Sequence, residues 1–363
     1  MRILIIANDD GGLYCFRKML LEQLLNHDEV YIAVPQGKFV KDLVAMGCNF
    51  INTDIDRRGI NPIIDFKLFL YYKNIITLIK PDLVMTYTIK PNIYGCLSAR
   101  LAGIPYIVNI TGLGTAFQNN NWIRKLCVFL YKLSLKNARA VLFENKENLQ
   151  IFIDESIISK SQSKLLNGAG VDTEYFCLQE YPKDELTKFL FVGRIMREKG
   201  VNELFEVMDK LYSEGTKLEL HVLGEYEEDY RCIIDKYTKV GWLKYHGFQK
   251  DVRPFIAECH CFVLPSWHEG MANTNLECAA SGRPVITSNI HGCKEAVDDG
   301  ISGFLVRRRD SKDLYNVMNK FLDLSYEDRV LMGKLGRKKM KSEFDKRIVV
   351  ADTMRILKEI ENE

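Results

Sequence analysis

Residues 261–277 read Cys-Phe-Val-Leu-Pro-Ser-Trp-His-Glu-Gly-Met-Ala-Asn-Thr-Asn-Leu-Glu, an apolar run, a break and then two glutamates, Glu269 and Glu277. The run predicts a buried β-strand that ends at Pro265 and Ser266. A helix is expected from about Asn273 onward, so the stretch is a strand, a loop and a helix in sequence. This arrangement is typical of doubly wound α/β domains, whose ligands bind where parallel strands end.

The two glutamates determine which ligand suits this strand end. The unpaired N–H groups and the positive dipole at the start of a helix favour a phosphate. Glu269, on the loop, is placed to accept hydrogen bonds from hydroxyl groups, and Glu277, in the first turns of the helix, suits a ribose diol. Together they would hold a sugar nucleotide. Because 27% of the residues are charged, an acidic helix turn with a solvated loop glutamate is the alternative.

Length and composition restrict the class of protein. A chain of 363 residues is too long for one ordinary core and predicts two domains. A formal net charge of +2 gives no reason to expect a nucleic acid as a partner. The ten cysteines include no Cys-x2-Cys pair, which favours free thiols in a reducing cytoplasm over a metal site or disulfides. No apolar stretch approaches the roughly 20 residues of a membrane span, and the N-terminus predicts a buried strand and not a signal peptide.

Short apolar runs alternate with longer amphipathic stretches along the whole chain, as expected for parallel strands joined by helical crossovers. Both periodicities fade over 165–183, where we place the hinge between domains. The fold class is therefore predicted as α/β, with two doubly wound Rossmann-like domains that face each other across a cleft. The predicted strands are 3–7, 30–34, 49–51, 83–86, 106–110 and 140–143 in the first half, and 189–192, 218–223, 245–247, 262–264, 284–287 and 304–306 in the second.

Two cations follow the predicted strand 189–192. Arg194 and Lys199 would both reach its carboxyl end, where they could neutralise a pyrophosphate and stabilise its departure as a leaving group. Solvated loop cations are the alternative. No histidine lies in the predicted strand-end loops of the first half, so hydrolysis by a Ser-His-Asp triad is disfavoured.

Glycines follow two predicted strands of the first half. Gly11 and Gly12 come after strand 3–7, where a backbone N–H could approach a phosphate closely, although a simple tight turn explains them equally well. Because this motif is not Gly-x-Gly-x-x-Gly, a nicotinamide enzyme is not supported. Thr111 and Gly112 follow strand 106–110 and predict a close approach by a substrate or by the next helix.

Several further motifs occur in a fixed order along the chain. This ordered set resembles the GT-B glycosyltransferases of family 4, which are retaining, metal-independent sugar transferases, and the resemblance covers nearly the whole chain. The residues that carry it are Gly170-Val171-Asp172, Phe191-Val192-Gly193-Arg194 with Lys199-Gly200, Gly247-Phe248 with Asp251-Val252, Leu264-Pro265-Ser266 before Glu269-Gly270, Asn275-Leu276-Glu277 with Gly282-Arg283-Pro284-Val285-Ile286, and Gly300 with Gly303-Phe304-Leu305-Val306.

The resemblance implies a role for each residue of the donor site. Glu269 would hold hydroxyl groups of the donor sugar, Glu277 the ribose, and Arg194 with Lys199 the diphosphate, which makes Glu269, Arg194 and Lys199 the expected catalytic residues. No metal and no cofactor are implied, because the UDP-sugar is a co-substrate. Further donor contacts are expected from Gly12, from Phe248 and Gln249 beside the base, from Gly270, and from the backbone N–H groups of Met271, Ala272 and Asn273.

The first half resembles the branch of this family that builds bacterial surface polysaccharides and lipid-linked oligosaccharides. An acceptor on a polyprenyl diphosphate would need anion contacts, for which Arg57, Arg58 and Lys90 are candidates, with solvation as the alternative for each. Many members place a histidine where this chain has Thr111 and Gly112, so these two become the local candidates. The carriers of this resemblance are Leu13-Tyr14-Cys15-Phe16-Arg17, Val34-Pro35-Gln36, Arg57-Arg58-Gly59-Ile60-Asn61-Pro62, Lys90-Pro91-Asn92 and Thr111-Gly112-Leu113-Gly114.

The stretch 122–139 suggests contact with a membrane. On a helical wheel its basic residues form one stripe, with the apolar residues elsewhere, a pattern compatible with anionic lipid. An ordinary crossover helix with a solvated basic face is the alternative. The stripe consists of Lys125, Lys132, Lys136 and Arg139, and the apolar residues are Ile123, Leu126, Val128, Leu130 and Leu133.

The resemblance predicts a function for each domain. Residues 1–164 would form the acceptor-side domain, with a C-terminal helix in 345–363 packed back on it, and 165–344 the nucleotide-sugar domain. The enzyme would move a hexose or N-acetylhexosamine from a UDP-sugar to a polyprenyl-diphosphate-linked saccharide, in the cytoplasm on the inner face of the cell membrane. The alternatives are a UDP-sugar 2-epimerase of the same fold class and a non-catalytic glycosyltransferase-like partner subunit.

Overall fold

The computed structural model describes residues 1–54, 59, 61–114, 117 and 122–361. The chain divides into two compact units, Met1–Ala169 with Val349–Glu363, and Gly170–Ile348. The two boundaries between the units lie a few residues beyond the predicted boundaries at 164/165 and 344/345. Near these boundaries, Val171 pairs with Asp345 in a short parallel bridge. The bridge holds the two ends of the second unit together.

The first unit contains a seven-stranded parallel sheet in the order β3-β2-β1-β4-β5-β6-β7. All six strands predicted for the first half are present. The additional strand, β7, was not predicted, because Ser-Lys-Leu is too short to show an apolar run; it pairs in parallel with β6. The strands are β1 Arg2–Ile6, β2 Glu29–Val34, β3 Asn49–Asn52, β4 Leu83–Tyr87, β5 Tyr106–Ile110, β6 Ala140–Phe143 and β7 Ser163–Leu165.

Helices cover both faces of this sheet. Buried residues of α3, α4, α5 and α6 pack on one face, and those of α1, α2 and the C-terminal helix α13 pack on the other. The start of α3 follows from its sequence, because Asn61 accepts hydrogen bonds from the N–H groups of Ile63 and Ile64, and Pro62 occupies the first helical position. The helices are α1 Asp10–Leu25, α2 Val40–Ala45, α3 Pro62–Ile79, α4 Cys96–Leu101 after a π-helical turn at Pro91–Gly95, α5 Trp122–Leu135, α6 Lys146–Asp154 and α13 Lys346–Glu361.

The second unit contains a six-stranded parallel sheet in the order β10-β9-β8-β11-β12-β13, and all six strands were predicted. Because every strand pair is parallel, the carboxyl ends of all the strands lie at one edge of the sheet. The strands are β8 Thr187–Val192, β9 Leu218–Leu223, β10 Leu243–Gly247, β11 Cys261–Leu264, β12 Val285–Ser288 and β13 Gly303–Val306. The helices are α7 Val201–Ser213, α8 Arg231–Val240, α9 Arg253–Glu258, α10 Asn273–Ala280, α11 Ser311–Leu322 and α12 Tyr326–Glu343.

Arg283 has a structural role in this unit. Its side chain is fully buried and donates hydrogen bonds to the carbonyl oxygens of Ile256, Ala257, Gln179 and Glu180. Burial lowers the pKa of its guanidinium, and the carbonyl oxygens satisfy its donors. The arginine therefore ties the extended stretch before β8 to the end of α9.

Candidate active site

The loops after β8 and β11 are joined to each other. The two strands are neighbours in the sheet, and the backbone N–H of Trp267, in the β11 loop, donates to the carbonyl oxygen of Glu198, in the β8 loop, at 2.9 Å. The indole N–H of Trp267 also donates to Glu203 on α7 at 2.9 Å. These contacts hold the segment with Lys199 against the segment with Glu269.

Gly200 allows the two loops to approach this closely. Its φ is +72°, and a Cβ atom there would lie 2.1 Å from the carbonyl oxygen of Pro265. An L-residue would be strained by the left-handed backbone and would also push the two loops apart.

We expect Gly200→Ala to lower stability by at least about 1–3 kcal/mol, the cost of a residue held in a sparsely populated backbone region, and to reduce activity. Gly215→Ala is the matched control, because Gly215 has a φ of +89° but no heavy atom within 4 Å of an added Cβ. Thermal unfolding of both variants separates the backbone cost from the clash with Pro265. Equal destabilisation would show that the approach of the two loops does not depend on Gly200.

Glu269 lies where Lys199 and Ser266 both reach it. The Lys199 Nζ is 2.5 Å from Glu269 Oε1, and the Ser266 hydroxyl donates to the same oxygen at 2.7 Å. Burial alone would raise the pKa of Glu269, but the Lys199 charge and the two hydrogen bonds lower it below its usual value. Glu269 is therefore an ionised acceptor at neutral pH. Ser266 was not among the predicted site residues; its position at the strand end, three residues before Glu269, was the available signal.

Arg194, the other predicted cation, lies at the exposed rim of the β8 loop. Its Nη1 is 3.1 Å from Glu227 Oε2, and its side chain is 53% exposed. The β8 and β9 ends are joined here, because the Ile195 N–H donates to the Glu225 carbonyl oxygen at 2.8 Å. Arg194 and Lys199 thus belong to the same loop, and each has a carboxylate partner from a different neighbouring loop.

Helix α10 begins at Asn273, as predicted. The Ala272 N–H donates to the Gly292 carbonyl oxygen at 2.7 Å, and the Asn273 N–H donates to the Met271 carbonyl oxygen at 3.0 Å. The turn before α10 uses both N–H groups here, and their approach to the donor stays a prediction. Gly270 lies in the same turn, and its carbonyl oxygen would be 2.6 Å from a Cβ at Gly292.

Glu277 lies on α10, one turn beyond the start of the helix, and is partly buried. Burial raises the pKa of its carboxyl group to about 7, although the Lys346 ammonium group opposes this. Glu277 and Lys346 both belong to the second unit. Near neutral pH, Glu277 is therefore divided between a protonated form and an ionised form that can accept two hydroxyl protons.

If Glu277 holds the ribose, affinity for UDP is expected to fall as the pH is lowered through about 7. Only the ionised carboxylate accepts from both ribose hydroxyls, so the loss approaches about tenfold per pH unit below the pKa. Calorimetric titrations with UDP between pH 8 and pH 6 measure this. Glu277→Gln serves as the control for the titration of UDP itself, and its UDP affinity is not expected to fall as the pH passes through about 7. Identical pH profiles for both proteins would contradict the assignment.

Phe248 and Gln249 follow β10 at the same edge of the sheet. The Phe248 side chain is 46% exposed, whereas the Gln249 amide donates to the His246 carbonyl oxygen at 2.6 Å. The Gly224 N–H, at the end of β9, donates to the Gly247 carbonyl oxygen at 2.8 Å. An exposed aromatic ring therefore lies at this rim, and Gln249 braces the turn that carries it.

Gly12 lies in the first unit, in the first turn of helix α1, which begins at Asp10. Its N–H donates to the Asp9 carboxylate at 2.7 Å, and Asp9 is thus the helix N-cap. The predicted contact of Gly12 with the donor stays a prediction.

The described acceptor-side candidates lie in the first unit. Lys90 Nζ is 2.7 Å from Asp65 Oδ1, both side chains are nearly buried, and the Tyr94 hydroxyl donates to the same carboxylate at 3.1 Å. Lys90 is therefore paired with a carboxylate, as Lys199 and Arg194 are, and its role as an anion contact stays a prediction. Thr111 and Gly112 follow β5 at its carboxyl end, and both are partly buried. Arg57 and Arg58 lie outside the described residues.

Within the ranges that the structure describes, no group of three His, Cys, Asp or Glu side chains is arranged to hold a metal ion. All ten cysteines are free thiols. The groups described at the strand ends of the second unit include the cations Arg194 and Lys199, the carboxylates Glu269 and Glu277, and the Ser266 hydroxyl.

Two doubly wound α/β units, one with cations and carboxylates at its strand ends, are the features of a nucleotide-sugar-binding α/β protein. Two protein-family models match the chain, "Glycosyl transferase 4-like" over residues 2–145 and "Glycosyl transferases group 1" over residues 178–339. Together they cover most of its length. The chain therefore belongs to glycosyltransferase family 4 and is a glycosyltransferase, as the sequence analysis predicted.

Individual relatives agree with this assignment. The chain is 27% identical to N,N'-diacetylbacillosaminyl-diphospho-undecaprenol alpha-1,3-N-acetylgalactosaminyltransferase of Campylobacter jejuni, over 89% of this chain and 90% of that protein. It is 27% identical to UDP-Gal:alpha-D-GlcNAc-diphosphoundecaprenol alpha-1,3-galactosyltransferase of Escherichia coli, over 79% and 78% respectively. The crystal structure of Anabaena Alr3699/HepE in complex with UDP and glucose shares its fold, with a TM-score of 0.82 at 16% identity over 99% of both chains. The predicted GT-B fold is confirmed.

Proposed function

We propose that this enzyme transfers a hexose or N-acetylhexosamine from a UDP-sugar to a saccharide on polyprenyl diphosphate, with retention of the anomeric configuration, in the assembly of a bacterial surface polysaccharide or glycan. The observation that carries the donor half is the convergence of Lys199 and Ser266 on Glu269. Arg194 belongs to the same β8 loop as Lys199. The acceptor half is supported by the two relatives whose names specify diphospho-undecaprenol-linked sugars. Such an acceptor would place the enzyme on the cytoplasmic face of the cell membrane, as a peripheral protein.

The proposed reaction breaks the bond between the anomeric carbon and the β-phosphate oxygen. A new bond forms between that carbon and the acceptor hydroxyl oxygen on the same face of the sugar, and the hydroxyl proton passes to the departing phosphate oxygen. Arg194 and Lys199 would neutralise the charge that grows on the diphosphate, and the ionised Glu269 would orient the sugar through its hydroxyl groups. This route needs no protein nucleophile.

The proposal is tested by incubating the enzyme with a panel of UDP-sugars, with and without a lipid extract of bacterial membranes. We expect UDP release only when both substrates are present. Inversion of the sugar at C2 when the UDP-sugar is supplied alone would favour the 2-epimerase. Binding of UDP without turnover under any of these conditions would favour a non-catalytic partner subunit.

Transfer is expected to continue in excess EDTA, because two side-chain cations are placed to take the role that a divalent metal would have at a diphosphate. Rates of UDP release with EDTA and with added magnesium or manganese measure this. A complete loss of activity that either metal restores would contradict the proposed roles of Arg194 and Lys199.

A further inference from the structure

The first unit carries exposed apolar side chains on three helices, α3, α4 and α5. The three helices adjoin, because the Ser98 hydroxyl of α4 donates to the Phe69 carbonyl oxygen of α3 at 3.1 Å and Arg100 of α4 donates to the Leu133 carbonyl oxygen of α5 at 2.6 Å. We call this the α3–α5 surface. Its exposed apolar residues are Ile63, Phe66, Leu70 and Leu78 of α3, Leu101 of α4, and Trp122, Leu126, Phe129 and Leu133 of α5.

Helix α5 shows the pattern most clearly. Trp122, Leu126, Phe129 and Leu133 recur every three or four residues, and Trp122 and Phe129 are each 62% exposed. The opposite side of α5 packs on the sheet through buried residues such as Tyr131. Leu126 and Leu133 were expected away from the basic stripe. This expectation is corrected, because both share the exposed side of α5 with the lysines. The exposed lysines beside them are Lys125, Lys132 and Lys136.

Nearly all the charged residues of the three helices are basic, although Arg124 among them pairs with Glu155 at 2.6 Å. In the three helices, the sole acidic residue is Asp65, and its carboxylate is held by Lys90 and by the Tyr94 hydroxyl. The whole chain is nearly neutral at +2, so this absence of acidic groups is local. The basic residues of the three helices are Lys67, Lys73, Arg100, Arg124, Lys125 and Lys132.

We propose that the protein lies on an anionic lipid bilayer through the α3–α5 surface, with Trp122, Leu126 and Phe129 at the level of the lipid headgroups. Aromatic and aliphatic side chains flanked by lysines are the composition of helices that lie in a membrane interface. A two-fold contact with a second copy would set these cations against each other, whereas an anionic bilayer offers the opposite charge. No helix among the described residues is long and apolar enough to span a membrane.

This inference rests on the proposed function in one respect, because a polyprenyl-linked acceptor would bring the enzyme to a membrane surface. It extends that function by naming the face that meets the lipid and by adding the apolar residues to the contact. The chain would bind the bilayer by partial insertion and by attraction to the headgroups together.

Flotation of the full chain with vesicles tests the proposal. Binding to vesicles of phosphatidylcholine with phosphatidylglycerol is expected to exceed binding to phosphatidylcholine alone by about tenfold or more and to weaken in high salt. Leu126→Glu with Phe129→Glu should reduce binding to the anionic vesicles by about tenfold or more. The matched control is Leu331→Glu with Ile233→Glu, which replaces two exposed apolar residues on α12 and α8 and should leave binding unchanged.

Tryptophan fluorescence supplies a second measurement. Trp122 is largely exposed and Trp242 is buried, so anionic vesicles should shift the emission of the native chain to shorter wavelength, and Trp122→Phe should lose most of that shift. Unchanged UDP affinity in the Leu126→Glu/Phe129→Glu variant would show that it is folded.

Equal binding to neutral and anionic vesicles would overturn the proposal, as would native-level binding by the Leu126→Glu/Phe129→Glu variant. A native dimer that this variant dissociates, without vesicle binding by either protein, would identify the surface as an interface between copies and would also overturn it. These measurements use no UDP-sugar. Vesicle binding without any sugar transfer would therefore contradict the proposed function and leave the lipid surface established.

Discussion

Replacing Arg194 with alanine is expected to lower turnover by about two to three powers of ten, or roughly 3 to 4 kcal/mol of transition-state stabilisation. The departing diphosphate gains charge as its bond to the sugar breaks. A cation at the β8 strand end therefore stabilises the transition state more than it stabilises the bound substrate. Turnover at saturating UDP-sugar and acceptor measures the loss.

Arg194 is a cleaner test of this site than Lys199. Its side chain is 53% exposed and pairs with the partly exposed Glu227, so its removal leaves no buried charge without a partner. Loss of Lys199 would instead leave the nearly buried Glu269 carboxylate without its cation, which destabilises a fold on its own. Arg355→Ala is the matched control, because Arg355 is exposed and pairs with Asp352 at 3.0 Å on α13. Near-normal turnover in Arg194→Ala would remove Arg194 from the diphosphate site.

The strands, and the meeting of Lys199 with Glu269, were predictable from local sequence. Buried parallel strands are short apolar runs with clear ends, as in Cys261–Leu264 and Tyr106–Ile110, and the residues after them must meet at one sheet edge. This is why the sequence alone predicts that Lys199 and Glu269, 70 residues apart in the chain, lie close together.

Hydrogen-bond partners were not predictable in the same way. Whether Lys90 is available to a ligand depends on Asp65, 25 residues away on another helix, and whether the Ala272 N–H is available depends on Gly292 in the next loop. A sequence pattern shows that a donor exists, but only the packing of distant segments shows whether the protein already satisfies it.

The orientation of α5 illustrates the same limit. Its periodicity defines two sides of a helix, but both sides carry large apolar residues, so the pattern alone did not show which one packs on the sheet. In the structure, Tyr131 and Leu135 are buried, while Leu126 and Phe129 remain exposed beside the lysines. The choice depends on how side chains pack against neighbouring elements, as where the Tyr131 ring meets Phe152 of α6, and this is a tertiary property.

Glu277→Gln and Glu269→Gln are expected to separate nucleotide binding from sugar transfer. If Glu277 holds the ribose, losing a charged acceptor costs about 1.5 to 3 kcal/mol, so affinity for UDP and for the UDP-sugar should both fall by about 10- to 150-fold. UDP has a ribose but no donor sugar, so a residue that contacts only the donor sugar does not contact UDP. Glu269→Gln should therefore not lower UDP affinity, since it frees Lys199, the partner of Glu269, for the diphosphate, and it should depress transfer.

Calorimetric titrations of both variants with UDP decide between these roles. They are best made at pH 8, because the pKa of Glu277 is raised to about 7 by burial and the native carboxylate is then mostly ionised. Glutamine keeps the size of each side chain and a carbonyl oxygen that the Ser266 hydroxyl can still reach at position 269, so a change in affinity reports the charge and not a cavity. A larger loss of UDP affinity in Glu269→Gln than in Glu277→Gln would show that the two glutamates have the opposite roles.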